Sequence, residues 1–128
     1  MIMDAKVSRL LKQHSTEGAI TWADVQKISS LTGISESALE NQALRQGIVP
    51  ARYQRNIGAI SIAEQQILSD AKVVVIGCGG IGGAALEELV RAGIGSIVCW
   101  DFDIFEEHNL NRQVFSDFGA IGHSKIGE

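Results

Sequence analysis

Gly77, Gly79, Gly80 and Gly82 stand together in the run Gly-Cys-Gly-Gly-Ile-Gly. In a G-x-G-x-x-G pattern the first glycine permits a tight turn. The second lets backbone approach a phosphate-bearing ligand, and the third lets a helix pack closely on a strand. Unpaired N–H groups at the start of that helix favour anions. Asp101 follows nineteen residues after Gly82, where a carboxylate can accept hydrogen bonds from ribose hydroxyls. The chemistry implied is binding of an adenine nucleotide, and NAD, FAD and ATP all suit such a unit.

The residues after Asp101 narrow the choice. A nicotinamide enzyme continues into another helix and strand, whereas here a polar loop runs from Asp101 to Gln113. Arg112 offers phosphate oxygens a planar fork and Lys125 adds a compact charge, while Asp103 is placed to approach a magnesium-bound phosphate.

These groups need a scaffold, and the pattern of the chain supplies one. Lys72 to Gly77 is a continuous apolar run and reads as a strand buried on both faces. A helix from about Gly80 to Ala92 follows, with Ile81, Ala85 and Leu89 on one stripe and Gly93 as its stop. Ser96 to Trp100 is a second buried strand. Strand, helix and strand make one right-handed βαβ unit with parallel strands. Upstream, Ser61 and Glu64 form a capping box that opens a helix ending near Ser69.

Before Pro50 the apolar spacing predicts three short helices, with Thr21 and Asp24 at one start, Gly33 at a stop and Ser35 as the next N-cap. The expected organisation is α/β: a helical N-terminal subdomain over 1–50, then a nucleotide-binding domain over 51–128. The segment from Ile28 to Leu39 has helix-turn-helix rhythm, so a DNA-binding module is an alternative reading. Its second helix carries Glu36 and Glu40 against a single Arg45, and phosphate contact demands positive charge.

Composition sets outer bounds. The 128 residues are 45% hydrophobic and 20% charged, with a formal charge of −4, which fits a core-forming chain rather than a disordered or polybasic one. No apolar run reaches the roughly 18 to 20 residues that span a bilayer, so the expectation is a cytoplasmic protein with no membrane or nucleic-acid partner. Cys78 and Cys99 lie in apolar stretches and read as reduced core residues. His14, His108 and His123 have no metal-ligand spacing.

Taken as a set, five pieces resemble the ThiF/MoeB/HesA adenylyltransferases, relatives of the ubiquitin-activating enzymes. They are Arg52 to Asn56, the glycine turn, Asp101 to Asp103, Asn109 to Gln113 and Gly122 to Lys125. The resemblance covers about residues 52 to 128. It implies a Rossmann-like nucleotide domain and ATP-dependent adenylation, with magnesium, of the C-terminal carboxylate of a small ubiquitin-like sulfur-carrier protein. Gly77, Gly79, Gly80 and Gly82 would then lie by the nucleotide and Asp101 would bind its ribose. Asn109, Arg112 and Lys125 match positions that handle the phosphates, and Arg55 matches an arginine that reaches across a homodimer into the partner's site. A NAD- or FAD-dependent oxidoreductase is the alternative enzyme. The family's later aspartate and paired Cys-x-x-Cys zinc motifs are absent from these 128 residues, so the Rossmann-like unit reads as truncated. On its own it is expected to be oligomeric, partly disordered after about Asn109 or stabilised by another chain, and inactive in pyrophosphate exchange. Val73, Val75, Ile97 and Cys99 are the residues expected to lack cover.

Overall fold

The computed structural model describes residues 2–127. The chain forms two compact units, one running through Asp70 and the other from Ala71 onward.

In the first unit α1 (Ile2–His14), α2 (Trp22–Thr32) and α3 (Glu36–Arg45) enclose a core of Val7, Leu11, Val25, Ile28, Leu39 and Ala43. The starts are fixed by side chains, as the sequence predicts. Thr21 Oγ1 accepts from Asp24 N–H at 3.2 Å and donates to the Asp24 carboxylate at 2.6 Å. Ser35 accepts from Ala38 N–H at 3.4 Å. Gly33 ends α2 in the left-handed region, at φ 72°.

Two features of this unit do not follow from the apolar periodicity. The two-residue strands β1 (Ala19–Ile20) and β2 (Val49–Pro50) pair in parallel. That pairing buries Val49 and Pro50 and delivers the chain to a 3-10 turn at Ala51–Tyr53. Trp22 shares a helical stripe with Val25 and Ile28, yet it is half exposed. Helix α4 (Ile62–Asp70) opens with the expected box, Ser61 N–H donating to Glu64 at 2.7 Å and Glu64 N–H donating to Ser61 Oγ at 3.2 Å.

The second unit is a parallel pair, β3 (Lys72–Ile76) and β4 (Ser96–Trp100), linked by α5 (Gly80–Ala92). Register runs from Lys72 opposite Ser96 to Ile76 opposite Trp100. The expectation of strands buried on both faces is corrected here. Alternate residues of a strand face opposite sides, and α5 packs on one side only. Val73, Val75, Ile97 and Cys99 are the half-buried set, whereas Val74, Ile76, Val98 and Trp100 form an exposed apolar face. The phase of α5 also differs. Ile81 is 90% exposed and Ala85 is exposed too, while Gly82, Gly83 and Leu86 take the covered side; Leu89 alone of the expected stripe is partly buried. Among the described residues no helix is long and apolar enough to cross a membrane.

Candidate nucleotide site

Two of the four glycines have an explicit steric reason. Gly77 lies at φ +87°, in the left-handed region where side chains are strained. A Cβ added at Gly82 would fall 1.6 Å from the Gly77 carbonyl oxygen, so α5 can approach the end of β3 only with glycine there. Gly79 is the N-cap of α5 and provides no side-chain cap. The N–H groups of the first helical turn therefore point outward without an intrahelical acceptor, which makes that end an anion cradle.

Asp101, one residue beyond β4, fastens this turn. Its Oδ2 accepts from Cys78 N–H at 2.6 Å and its Oδ1 from Asp103 N–H at 2.9 Å. The Asp103 and Cys78 N–H groups, aided by the Lys125 charge, hold the Asp101 carboxyl below its ordinary range. Each oxygen keeps a second lone pair for a ribose hydroxyl.

The loop after Asp101 closes on itself. Phe105 N–H donates to the His123 carbonyl at 2.9 Å and Gly122 N–H to the Phe105 carbonyl at 2.8 Å. That pairing brings Lys125 to Asp103, with Nζ 3.0 Å from Oδ2 and the lysine side chain only 7% exposed. Asp103 is thus engaged by a cation. Among the described residues no three His, Cys, Asp or Glu side chains gather to hold a metal ion.

Asn109 is buried, and it builds the loop rather than presenting itself. Its Oδ1 accepts from Glu106 N–H at 2.9 Å, and its carbonyl accepts from Arg112 N–H at 3.1 Å and Gln113 N–H at 2.9 Å. The same turn lays Arg112 across the start of α5, its Cγ 3.6 Å from where a Gly80 Cβ would stand. The Arg112 guanidinium donates to the His108 carbonyl at 2.8 Å.

Gln113, which the sequence singles out only as part of a motif, is buried with Nε2 3.7 Å from the Cβ position of Gly79, and its Oε1 lacks a partner. The structure therefore gathers the glycine turn, Asp101, Asp103, Arg112 and Lys125 in one unit. Arg55 belongs to the other unit, where it is exposed.

Cys78 is buried and Cys99 half-buried, both as free thiols. Burial, reinforced by the neighbouring Cys99 thiol, pushes the Cys78 thiol up, which suits a core residue and not a nucleophile. An open groove of about 850 Å³ between α1 and α3 holds no such chemistry. Much of its polar lining is spent on hydrogen bonds, Ser8 with Gln46 at 2.7 Å, Gln42 with Asp4 at 2.6 Å and Asn41 Nδ2 with Asp70 at 2.7 Å.

Residues 53–127 match the ThiF family. The chain is 43% identical over 77 residues to the probable adenylyltransferase/sulfurtransferase MoeZ of Mycobacterium tuberculosis, an alignment covering 59% of this chain and 20% of that protein. It is 32% identical over 126 residues to the adenylyltransferase and sulfurtransferase uba4 of Emericella nidulans, covering 96% of this chain and 26% of that one. Among solved structures, Escherichia coli MccB with AMPCPP and MccA superposes with a TM-score of 0.55 at 31% identity, covering 79% of this chain and 35% of MccB. The chain thus spans between a fifth and about a third of these relatives' length, and its second unit has the parallel strands of their Rossmann-like fold. With the family match extending over more than half of its residues, the chain belongs to the ThiF family.

Proposed function

We propose that this chain contributes the nucleotide site of an ATP-dependent adenylyltransferase acting on the C-terminal carboxylate of a small sulfur-carrier or ubiquitin-like protein. The observation that carries the reading is the clamp in which Asp101 ties the glycine turn to a loop that lays Arg112 over Gly80 and holds Lys125 on Asp103.

In the proposed reaction a carboxylate oxygen of the carrier attacks the α-phosphorus of ATP. The Pα–O–Pβ bond breaks, giving acyl-adenylate and pyrophosphate. No protein nucleophile is needed, because the demand is for alignment and charge neutralisation. Gly77, Gly79, Gly80 and Gly82 would line the nucleotide and Asp101 would take its ribose. Arg112 and Lys125 would neutralise the departing pyrophosphate, and Asn109 would hold the turn that aims Arg112. Magnesium would arrive with the phosphates, and no step here is routed through it.

Arg55 would act from a second subunit of a homodimer, and the protein would work in the cytoplasm. Residues 51–128 would form the ThiF-type portion, with 1–50 as an accessory helical subdomain. A nicotinamide or flavin enzyme is less well supported, because after Asp101 the chain makes a self-closed loop.

The test is ATP–pyrophosphate exchange by the natural gene product with candidate carrier proteins, beside nucleotide titration. Exchange that depends on a carrier's C-terminal glycine is expected. Hydride transfer with a nicotinamide cofactor, or titrations blank for ATP, would sink the reading.

A further inference from the structure

Arg52 opens the family-like segment Arg52 to Asn56, and the first unit holds it from three sides. Its guanidinium pairs with Glu40 of α3, whose residue surface is only 6% exposed. It also lies 5.6 Å from the centroid of the Trp22 ring and 4.8 Å from that of Tyr53, within range of cation–π attraction. This contact accounts for Trp22, which leaves its core stripe to meet a cation at the surface.

The neighbours of Arg52 are fixed as well. Val49 and Pro50 enter the turn buried, Tyr53 is buried, and Asn56 Nδ2 donates to Gln65 Oε1 of α4 at 2.9 Å. Gln54 N–H closes on the Ala51 carbonyl at 3.2 Å and Asn56 N–H on the Tyr53 carbonyl at 2.9 Å. Between these two anchors only Gln54 and Arg55 stand exposed.

We infer that Arg52 is a positioning residue that locks this turn to α2 and α3, so that Arg55 is presented outward on a rigid crest to an anionic group of another molecule. The inference rests on the reading above that Arg55 serves a partner's site. It gives the N-terminal helices a purpose of their own, as the mount for that arginine. Backbone ordering is the physical gain. A long arginine on a mobile loop loses much rotamer and backbone freedom when it docks, and a pinned turn has already met the backbone part of that cost. Burial of Glu40 raises its carboxyl, opposed by the charge and hydrogen bond of Arg52, so the pair is interdependent: neither partner is well placed without the other.

Two readouts test this. Native-state trypsin cleavage after Arg55 should speed up about tenfold in Arg52→Ala and less in Arg52→Lys, which keeps the charge but loses the planar stack. Cleavage after Arg91, on α5, should not change. Unchanged cleavage after Arg55, or an equal rise after Arg91, would overturn the anchor. In exchange assays of the natural gene product Arg52→Ala should lower kcat about tenfold with the KM for ATP nearly constant, the cost of a misplaced group. It should have no further effect in an Arg55→Ala background. Losses that simply add would show that Arg52 does not act through Arg55. A wild type without exchange counts against the proposed function, and proteolysis then decides the anchor alone.

Discussion

Lys125 Nζ lies 3.0 Å from Asp103 Oδ2, across 22 residues of chain, with the aspartate 56% exposed and the lysine almost wholly covered. Two backbone bridges between residues 104–105 and 121–124 set up that meeting. A covered ammonium held by an exposed carboxylate is asymmetric, because removing the carboxylate leaves the costly partner behind. Asp103→Ala should therefore destabilise the second unit by about 1 kcal/mol, below the 1.5–3 typical of hydrogen bonds to charged groups because Asp103 is wet. Adding Lys125→Met should recover most of the loss in urea unfolding, and strict additivity would show that the pair is not coupled.

The glycines separate packing from binding. Gly82→Ala places a methyl on the Gly77 carbonyl, an overlap that backbone must relieve, so a loss of about 3 kcal/mol or failure of the second unit to fold is expected. At Gly80 the nearest atoms are at 3.6 Å and belong to Arg112. Gly80→Ala should leave stability within about 1 kcal/mol, helped by helix propensity, yet weaken ATP binding where the nucleotide meets the turn. Equal stability in the two variants, measured by thermal unfolding, would refute the packing argument for Gly82.

How much of this was legible beforehand depends on the range of the interaction. The caps at Thr21, Ser35 and Ser61 and the stops at Gly33 and Gly93 are local chemistry, and the sequence states them. The bounds of α5 follow for the same reason. Its phase does not, since glycines and alanines give a weak stripe and Ile81 misleads where Gly82 must face the strand. An apolar run likewise cannot tell one covered face from two. For the site, the glycine turn and Asp101 are readable from spacing. The Lys125–Asp103 pair and the Arg52 anchor join residues 22 and 12 apart through tertiary contact, and no periodicity encodes them.

Asp101 gives a pH prediction with a definite sign. Its carboxyl is held below the ordinary value of 3.8 by the Asp103 and Cys78 N–H groups. A depressed folded-state pKa adds stability above the unfolded value, and that stability is lost as pH falls through the folded one. The stability gap between wild type and Asp101→Asn should be flat from neutral pH to about 5 and narrow below 3.8. A gap that widens on acidification would mean that Asp101 is not clamped as an anion.

The phosphate cations should split from the ribose acceptor in kinetics. Asp101→Ala should weaken ATP binding by about 1 to 3 kcal/mol, the loss of a charged hydrogen-bond acceptor. Arg112→Ala and Lys125→Ala should slow adenylate formation more than they weaken ATP binding, because their charges count most as pyrophosphate departs. Equal losses in titration and in single-turnover rate would reduce both to ground-state contacts.

Arg55 should complement in trans. In a two-fold dimer each proposed site takes Arg112 from one subunit and Arg55 from the other. An Arg55→Ala subunit and an Arg112→Ala subunit are each inactive as homodimers, since every site lacks one cation. In a hybrid, one site carries both losses and the other carries neither. Random exchange of equal amounts makes half the dimers hybrid, so activity should return to about one quarter of wild type. The rescue should also survive dilution of free ATP, because it restores an intact site rather than a higher occupancy. Exchange of subunits shown by mass spectrometry, with no activity regained, would place Arg55 in its own subunit's site or outside the chemistry.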